Sequence, residues 1–150
     1  LRDVSSTQLE QHRQQLREVI YRRCRHIVTE NERVLAAGEA LEQNELSRFG
    51  KLMNESHQSL RDDYEVSCAE LDLMVELAQG VEGVFGARMT GGGFGGCTVN
   101  LVELEHIDHF KSVVAAGYQR ETGLTPEIYV CSAVKGAEEI IENATGTIQV

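Results

Sequence analysis

Residues 91–96 read Gly-Gly-Gly-Phe-Gly-Gly, five glycines in six positions, between Thr90 and Cys97. Ordering such a stretch costs roughly 0.5–1 kcal/mol of backbone entropy per glycine relative to alanine. The fold must therefore use positive φ angles or missing Cβ atoms there. A tight hairpin between two strands needs one or two glycines, not five. The better readings are a backbone amide cradle for an anion, or a close approach of the loop to another segment. Gly91, Gly93 and Gly96 formally satisfy G-x-G-x-x-G. That dinucleotide motif follows a strand and opens a helix. Here Cys97, Val99 and Leu101 alternate with Thr98 and Asn100, the period of a half-buried strand. No Gly-Lys-Ser/Thr ending is present, so the loop is not of the Walker A type.

The surroundings of this loop are ordinary globular material. The chain has 150 residues, 41% of them hydrophobic and 25% charged. That suffices for one domain with a real core and excludes disorder as the dominant state. Its apolar runs are too short for a bilayer-spanning helix. A net charge of −10 argues against binding a nucleic-acid backbone. We therefore expect no nucleic-acid partner and no membrane partner. Cys24, Cys68, Cys97 and Cys131 are widely spaced with no C-x-x-C pair. They read as four reduced, mostly buried thiols, which points to the cytoplasm. The chain starts at Leu1 without a signal-peptide pattern, as a fragment, mature product or single domain would.

Helical periodicity dominates the N-terminal stretch. Leu9, Leu16, Ile20, Cys24, Ile27, Val34 and Leu41 predict one long helix from Thr7 to Gln43, or two with a break near Arg17. Thr7 with Glu10 forms a candidate capping box, Asn44 a candidate cap for the next helix, and Ser67 with Glu70 another box. The second helix ends at Asp62-Asp63-Tyr64. Gly83 and Gly86 bracket a turn before a short strand at Ala87–Thr90. The strand Cys97–Leu101 follows, then a helix from Ile107 stopped by Gly123, then a buried strand at Ile128–Cys131. Ala137–Glu142 could add a helical turn. The class is α+β, with helices packed on a small antiparallel sheet and a ferredoxin-like β-β-α-β end. The division is a helical region over residues 1–82, a β-β-α-β region over 83–135 and a tail over 136–150.

Other chemistry-bearing residues have plainer explanations. Arg88 reads as a structural ion pair rather than a phosphate ligand. Asp62 and Asp63 diverge on a helix, and one of them pairing Arg61 at a solvated helix end suits them better than Mg2+ or acid–base work. A role lining a cleft stays open for them. His57 reads as a satisfied, partly buried imidazole. His106 and His109 lack a third metal ligand nearby and read as surface residues. Tyr64, Tyr118 and Tyr129 read as packing residues.

The stretch Arg88-Met89-Thr90-Gly91-Gly92-Gly93-Phe94-Gly95-Gly96-Cys97-Thr98 resembles the third conserved motif of the galactokinases, members of the GHMP kinase family. Glu55-Ser56-His57-Gln58-Ser59-Leu60-Arg61-Asp62-Asp63-Tyr64-Glu65-Val66-Ser67-Cys68 is similar to their C-terminal half. Leu1-Arg2-Asp3-Val4 and Arg23–Asn31 fit the same register. The resemblance covers roughly residues 1–135, and the two motifs together are far more specific than either alone.

The resemblance implies transfer of the ATP γ-phosphoryl group to the anomeric hydroxyl of galactose. The family's sugar motif G-R-V-N-L-I-G-E-H-T-D-Y and its phosphate loop P-x-x-x-G-L-S-S-S-A do not occur here. By resemblance, then, this chain is the C-terminal domain without its N-terminal domain, with no catalytic and no metal-binding residue of its own. Gly91, Gly92, Gly93, Phe94, Gly95 and Gly96 are the implied cofactor-binding residues, facing ATP. ATP and Mg2+ would be held mainly by the absent N-terminal domain, which is also the implied partner. Galactose and ATP would lie in the cleft between the domains, and the chain alone would be inactive. A non-catalytic sensor of galactose and ATP, an N-acetylgalactosamine kinase and a free-standing regulatory module are the competing expectations.

Overall fold

The computed structural model describes residues 1–134 and 136. The expected break in the long N-terminal helix is present. Helix α1 (Ser6–Gln11) ends in a 3-10 turn at Arg13–Gln15, Leu16 and Arg17 are extended, and α2 (Glu18–Glu42) follows. The capping box lies two residues earlier than expected. Ser5 accepts from the Gln8 amide and the Gln8 side chain returns to Ser5. Glu10 is unavailable for a box because its carboxylate accepts the Tyr21 hydroxyl at 2.6 Å.

Asn44 does not cap the next helix; it terminates α2. Its φ is +60°. The Glu45 amide donates to Ala40 O at 2.8 Å and the Asn44 amide to Leu41 O at 3.1 Å. That pair of bonds is the Schellman ending, which needs a left-handed residue in this place. Helix α3 (Leu46–Ser59) then runs into a single π turn, Leu60–Tyr64, closed by left-handed Glu65. The expected end at Asp62-Asp63-Tyr64 holds. The Ser67–Glu70 box does not form. Cys68 precedes α4 (Ala69–Gln79), and the Ser67 hydroxyl donates instead to Asp72 Oδ1 at 2.5 Å.

Strands β1 (Val84–Thr90) and β2 (Cys97–Val102) pair antiparallel, from Thr90 opposite Cys97 to Val84 opposite Val102. Gly86 lies inside β1 at a register shift, not in a turn. After a 3-10 turn at Leu104–His106 comes α5 (Ile107–Thr122), stopped by Gly123 at φ +73° as expected. The third strand expected at Ile128–Cys131 does not form a ladder among the described residues. Ile128 packs on the core while Tyr129 stays 78% exposed. Among the described residues the sheet is therefore two-stranded, and of the expected β-β-α-β end they contain β-β-α. Ala137–Glu142 lies outside the described residues.

Two strands alone are marginal in water. Here α3 covers the free edge of β1. The helix backbone at Gly50 touches the strand backbone, where a Cβ would sit 2.1 Å from Phe85 O. Further along, Asn54 Oδ1 accepts the Ala87 amide at 2.8 Å and His57 Nδ1 accepts the Met89 amide at 3.3 Å. Three and four helical residues rise about 4.5–6 Å, and two strand residues advance about 6.6 Å. The two periods stay in step over this length, so side chains of α3 stand in for a third strand. Behind the sheet, Val75 and Ala78 of α4, with Val81 just after it, pack with Ala87, Phe110 and Val114. A second cluster of Leu9, Tyr21 and Val28 fastens α1 to α2. No helix among the described residues is long and apolar enough to cross a membrane.

This packing makes two glycines behave oppositely. Gly50→Ala is expected to destabilise the protein by more than about 2 kcal/mol, because backbone cannot yield as a side chain can. Gly38, inside α2, has nothing within 4 Å of a Cβ, so Gly38→Ala should stabilise by roughly 0.5–1 kcal/mol. Urea unfolding followed by circular dichroism measures both.

Candidate functional site

The glycine loop joins β1 to β2 and is anchored at one point. The Phe94 amide donates to Val66 O at 2.7 Å. A Cβ on Gly93 would sit 2.1 Å from the same carbonyl oxygen, and its φ is +82°. Gly93 is thus a glycine for two reasons internal to this chain. Phe94 itself adopts φ +60°, uncommon for a residue with a side chain, and leaves its ring 76% exposed. Its amide is committed to Val66, so Phe94 has its ring, not its N–H, to offer a ligand. Gly91, Gly95 and Gly96 also have positive φ but face open space. Gly92 has neither a positive φ nor any atom within 4 Å of a Cβ. Nothing among the described residues requires a glycine there.

Val66 belongs to the second motif, so the fold brings the two distinctive sequence stretches into direct contact. Left-handed Glu65 presents that carbonyl. Its carboxylate is gripped by Arg22 at 2.6 Å and Arg23 at 2.5 Å, which hold it below the usual carboxylate range. Arg22 also donates to Asp62 O at 2.9 Å, and Arg23 to Asp63 O. One turn on, Arg25 grips the Asp63 carboxylate through Nε at 3.0 Å and through Nη2. The hydrogen bond to Asp63 raises the already high Arg25 pKa. Ser59 donates to Asp63 at 3.2 Å, and His26 Nδ1 meets Ser59 Oγ at 3.0 Å while its ring stacks on Tyr64. Sequence reasoning does not reach these α2 residues as members of the site. Their signal is the density of Arg22, Arg23, Arg25 and His26 in under two turns of helix.

The remaining candidates resolve individually. Asp62 pairs Arg61 at 2.8 Å as expected. Asp63 is not a solvated helix end; it is only 7% exposed and belongs to the Arg25 network. Arg88 is a structural ion pair, 3.4 Å from Glu30, and its Nε donates to Met89 O. Burial pushes Glu30 up, but the Ser56 hydroxyl, Arg33 and Arg88 together hold it below its ordinary value. His57 is buried, its Nδ1 accepting the Met89 amide and its Nε2 lying 3.2 Å from Asp72 Oδ1. His106 does find further ligand-type neighbours, Glu103 and Glu105, whereas His109 is not among them. That group sits at the far end of β2 from the glycine loop. The cysteines are free, but none is buried: Cys24 and Cys68 are half-buried, Cys97 and Cys131 exposed. Tyr118 packs in the core, whereas Tyr129 lies on the surface and donates to Glu127. A cleft of about 300 Å³ between α2 and α3 is lined by Arg25, Arg33, Asp62 and Asp63. Its arginines are already paired, to Asp63 and Glu30.

Residues 38–120 match the family model described as GHMP kinases C terminal. A galactokinase of Roseiflexus sp. (strain RS-1) is 49% identical over 144 residues, which are 96% of this chain and 37% of that protein. A galactokinase of Chloroflexus aggregans is 52% identical over 136 residues, 91% of this chain and 35% of that one. The chain thus spans about a third of the length of these curated relatives. Among solved structures, Lactococcus lactis galactokinase complexed with galactose matches with a TM-score of 0.79 at 40% identity, covering 82% of this chain and 32% of that chain. L. major mevalonate kinase in complex with R-mevalonate matches at a TM-score of 0.50 and 30% identity, covering 61% of this chain and 26% of that chain.

The buried imidazoles make stability depend on pH. Burial pushes both His26 and His57 below the ordinary imidazole range, against the opposing pull of Glu30 and Asp63 on His26 and of Asp72 on His57. The unfolded chain takes up these protons near pH 6.5 while the folded chain resists them. Stability is therefore expected to fall as pH drops below about 6.5, and again below about 4.5 as Glu30 is protonated. A urea midpoint lower at pH 5.5 than at pH 7.5 checks the first step. A flat or rising midpoint contradicts it.

Proposed function

The chain belongs to the GHMP kinase family, matching its C-terminal region, and we propose that it is the phosphate-facing C-terminal portion of a galactokinase. In this reading the complete polypeptide transfers the γ-phosphoryl group of ATP to the anomeric hydroxyl of galactose, giving galactose 1-phosphate and ADP. The sugar oxygen bonds to phosphorus as the bridge to the β-phosphate breaks, and the hydroxyl proton leaves to a base outside this chain. The reaction is cytoplasmic, where ATP is at hand. The matched relatives are galactokinases, which does not favour a non-catalytic sensor or an N-acetylgalactosamine kinase.

The observation that carries this reading is the loop at 91–96. It is pinned by Gly93 and Phe94, yet it keeps glycines at 91, 92, 95 and 96 toward open space. A Cβ at those positions would touch nothing among the described residues. Positive φ already accounts for Gly91, Gly95 and Gly96, but the glycine at 92 makes sense if phosphates, or the segments holding them, approach the backbone closely. Glycine amides then offer donors to the anion without a Cβ in the way. Such positioning and charge stabilisation are most of what phosphoryl transfer asks of a protein. The exposed Phe94 ring offers an apolar contact to the nucleotide or to the rest of the polypeptide. Mg2+ does not fit this loop, which holds no carboxylate, and the nearby Asp63 and Glu65 are already gripped by arginines. We assign the metal, most of the ATP contacts and the sugar pocket to the remainder of the polypeptide.

Two outcomes test the proposal. This chain supplied with ATP, Mg2+ and galactose should form no galactose 1-phosphate, whereas the complete polypeptide should; turnover by the chain alone would overturn the shared site. In the complete polypeptide, Gly92→Ala should keep stability within about 0.5 kcal/mol of wild type but lower kcat/KM for ATP about tenfold or more. Unchanged ATP kinetics would remove the loop from the phosphates.

A further inference from the structure

We propose that His57 is a positioning residue for the glycine loop, acting through the backbone of β1 and the second motif rather than on the nucleotide. The proposal rests on the nucleotide role given to the loop above. His57 is 4% exposed, with its Nδ1 hydrogen-bonded and its buried Nε2 in close contact with a carboxylate without meeting hydrogen-bond geometry. Nδ1 accepts the Met89 amide at 3.3 Å, so the ring hydrogen resides on Nε2. Nε2 lies 3.2 Å from Asp72 Oδ1. The same Asp72 oxygen accepts the Ser67 hydroxyl at 2.5 Å. Ser67 adjoins Val66, whose carbonyl accepts the Phe94 amide. Met89 in turn lies two residues before Gly91, and its Cε lies 3.0 Å from the place a Gly93 Cβ would take.

A closed circuit results. From the imidazole, one arm reaches the stem of the loop at Met89. The other reaches the loop's anchor at Val66 through Asp72 and Ser67. The two arms meet again at Gly93 and Phe94. A shift of the ring moves both supports of the loop at once. The acceptor at Nδ1 exists only while the ring is neutral. Burial favours that state, with Arg61 and Arg88 adding to it and the Asp72 carboxylate opposing it.

Three substitutions in the complete polypeptide separate positioning from bulk stability. His57→Asn keeps an acceptor oxygen near the Nδ1 position. His57→Gln reaches toward Asp72 and loses the acceptor, and His57→Leu loses both. Expected for Gln and Leu are an ATP KM raised about tenfold with galactose KM little changed, and faster hydrogen exchange at the Met89 and Phe94 amides. His57→Asn should return ATP KM to within about twofold of wild type. If all three variants shift the unfolding midpoint while ATP KM and Phe94 exchange stay at wild-type values, His57 is merely structural and the proposal is wrong. If Leu fails to fold, the contrast between Asn and Gln still decides. Exchange at Phe94 also reads the positioning independently of kinetics. Fast exchange in Gln with unaltered ATP kinetics in both Gln and Gly92→Ala would leave the circuit intact but sink the nucleotide role of the loop.

Discussion

The backbone contact between Gly50 of α3 and the Phe85–Gly86 segment of β1 underlies the rest of the arrangement. A two-stranded sheet has unpaired amides along both edges, and each edge must be covered or solvated. With no Cβ at either Gly50 or Gly86, helix and strand approach until Asn54 and His57 reach the Ala87 and Met89 amides. That closeness also brings the end of α3 beside the end of β1. The π turn, Glu65 and Val66 therefore come to lie against the glycine loop. A wider separation would leave the loop tethered only by its two strands.

The site region is built from carbonyls and amides whose geometry is held by ionic grips at one remove. Arg22, Arg23 and Arg25 hold the turn after α3 through Glu65, Asp63 and main-chain oxygens. The value of these pairs lies less in net stability, since partly exposed ion pairs contribute little, than in orientation. They fix a left-handed residue with a side chain, which sparsely populated backbone geometry makes unfavourable without support. Buried neutral imidazoles at His26 and His57 complete the frame with hydrogen bonds that carry no desolvated charge.

Much of the local structure was legible from residue type. The break near Arg17, the end of α3 and the stop at Gly123 follow from periodicity and from left-handed glycine. Several misreadings share one cause, a polar residue with more than one partner within reach. Ser67 and Glu10 look like capping residues, yet Asp72 and Tyr21 engage them first. Asn44 looks like an N-cap, yet the carbonyls of α2 make it a C-terminal ending. Asp63 looks like a solvated helix end, yet Arg25, 38 residues earlier, comes to bury it. Ile128–Cys131 has the composition of a buried strand but no ladder partner among the described residues.

By itself the sequence determined the order of elements through the helix at Ile107, the family and the loop that must use glycine, because these depend on local backbone preference and contiguous motifs. The tertiary structure alone decided why each glycine is needed. Gly93 avoids Val66, Gly50 and Gly86 avoid each other, and Gly92 avoids nothing among the described residues. It also decided that His57, which looks like a plain buried histidine, ties together two motifs 32 residues apart. Steric exclusion and hydrogen-bond partnership are properties of atoms close in space, and one-dimensional spacing does not encode which distant carbonyl will arrive.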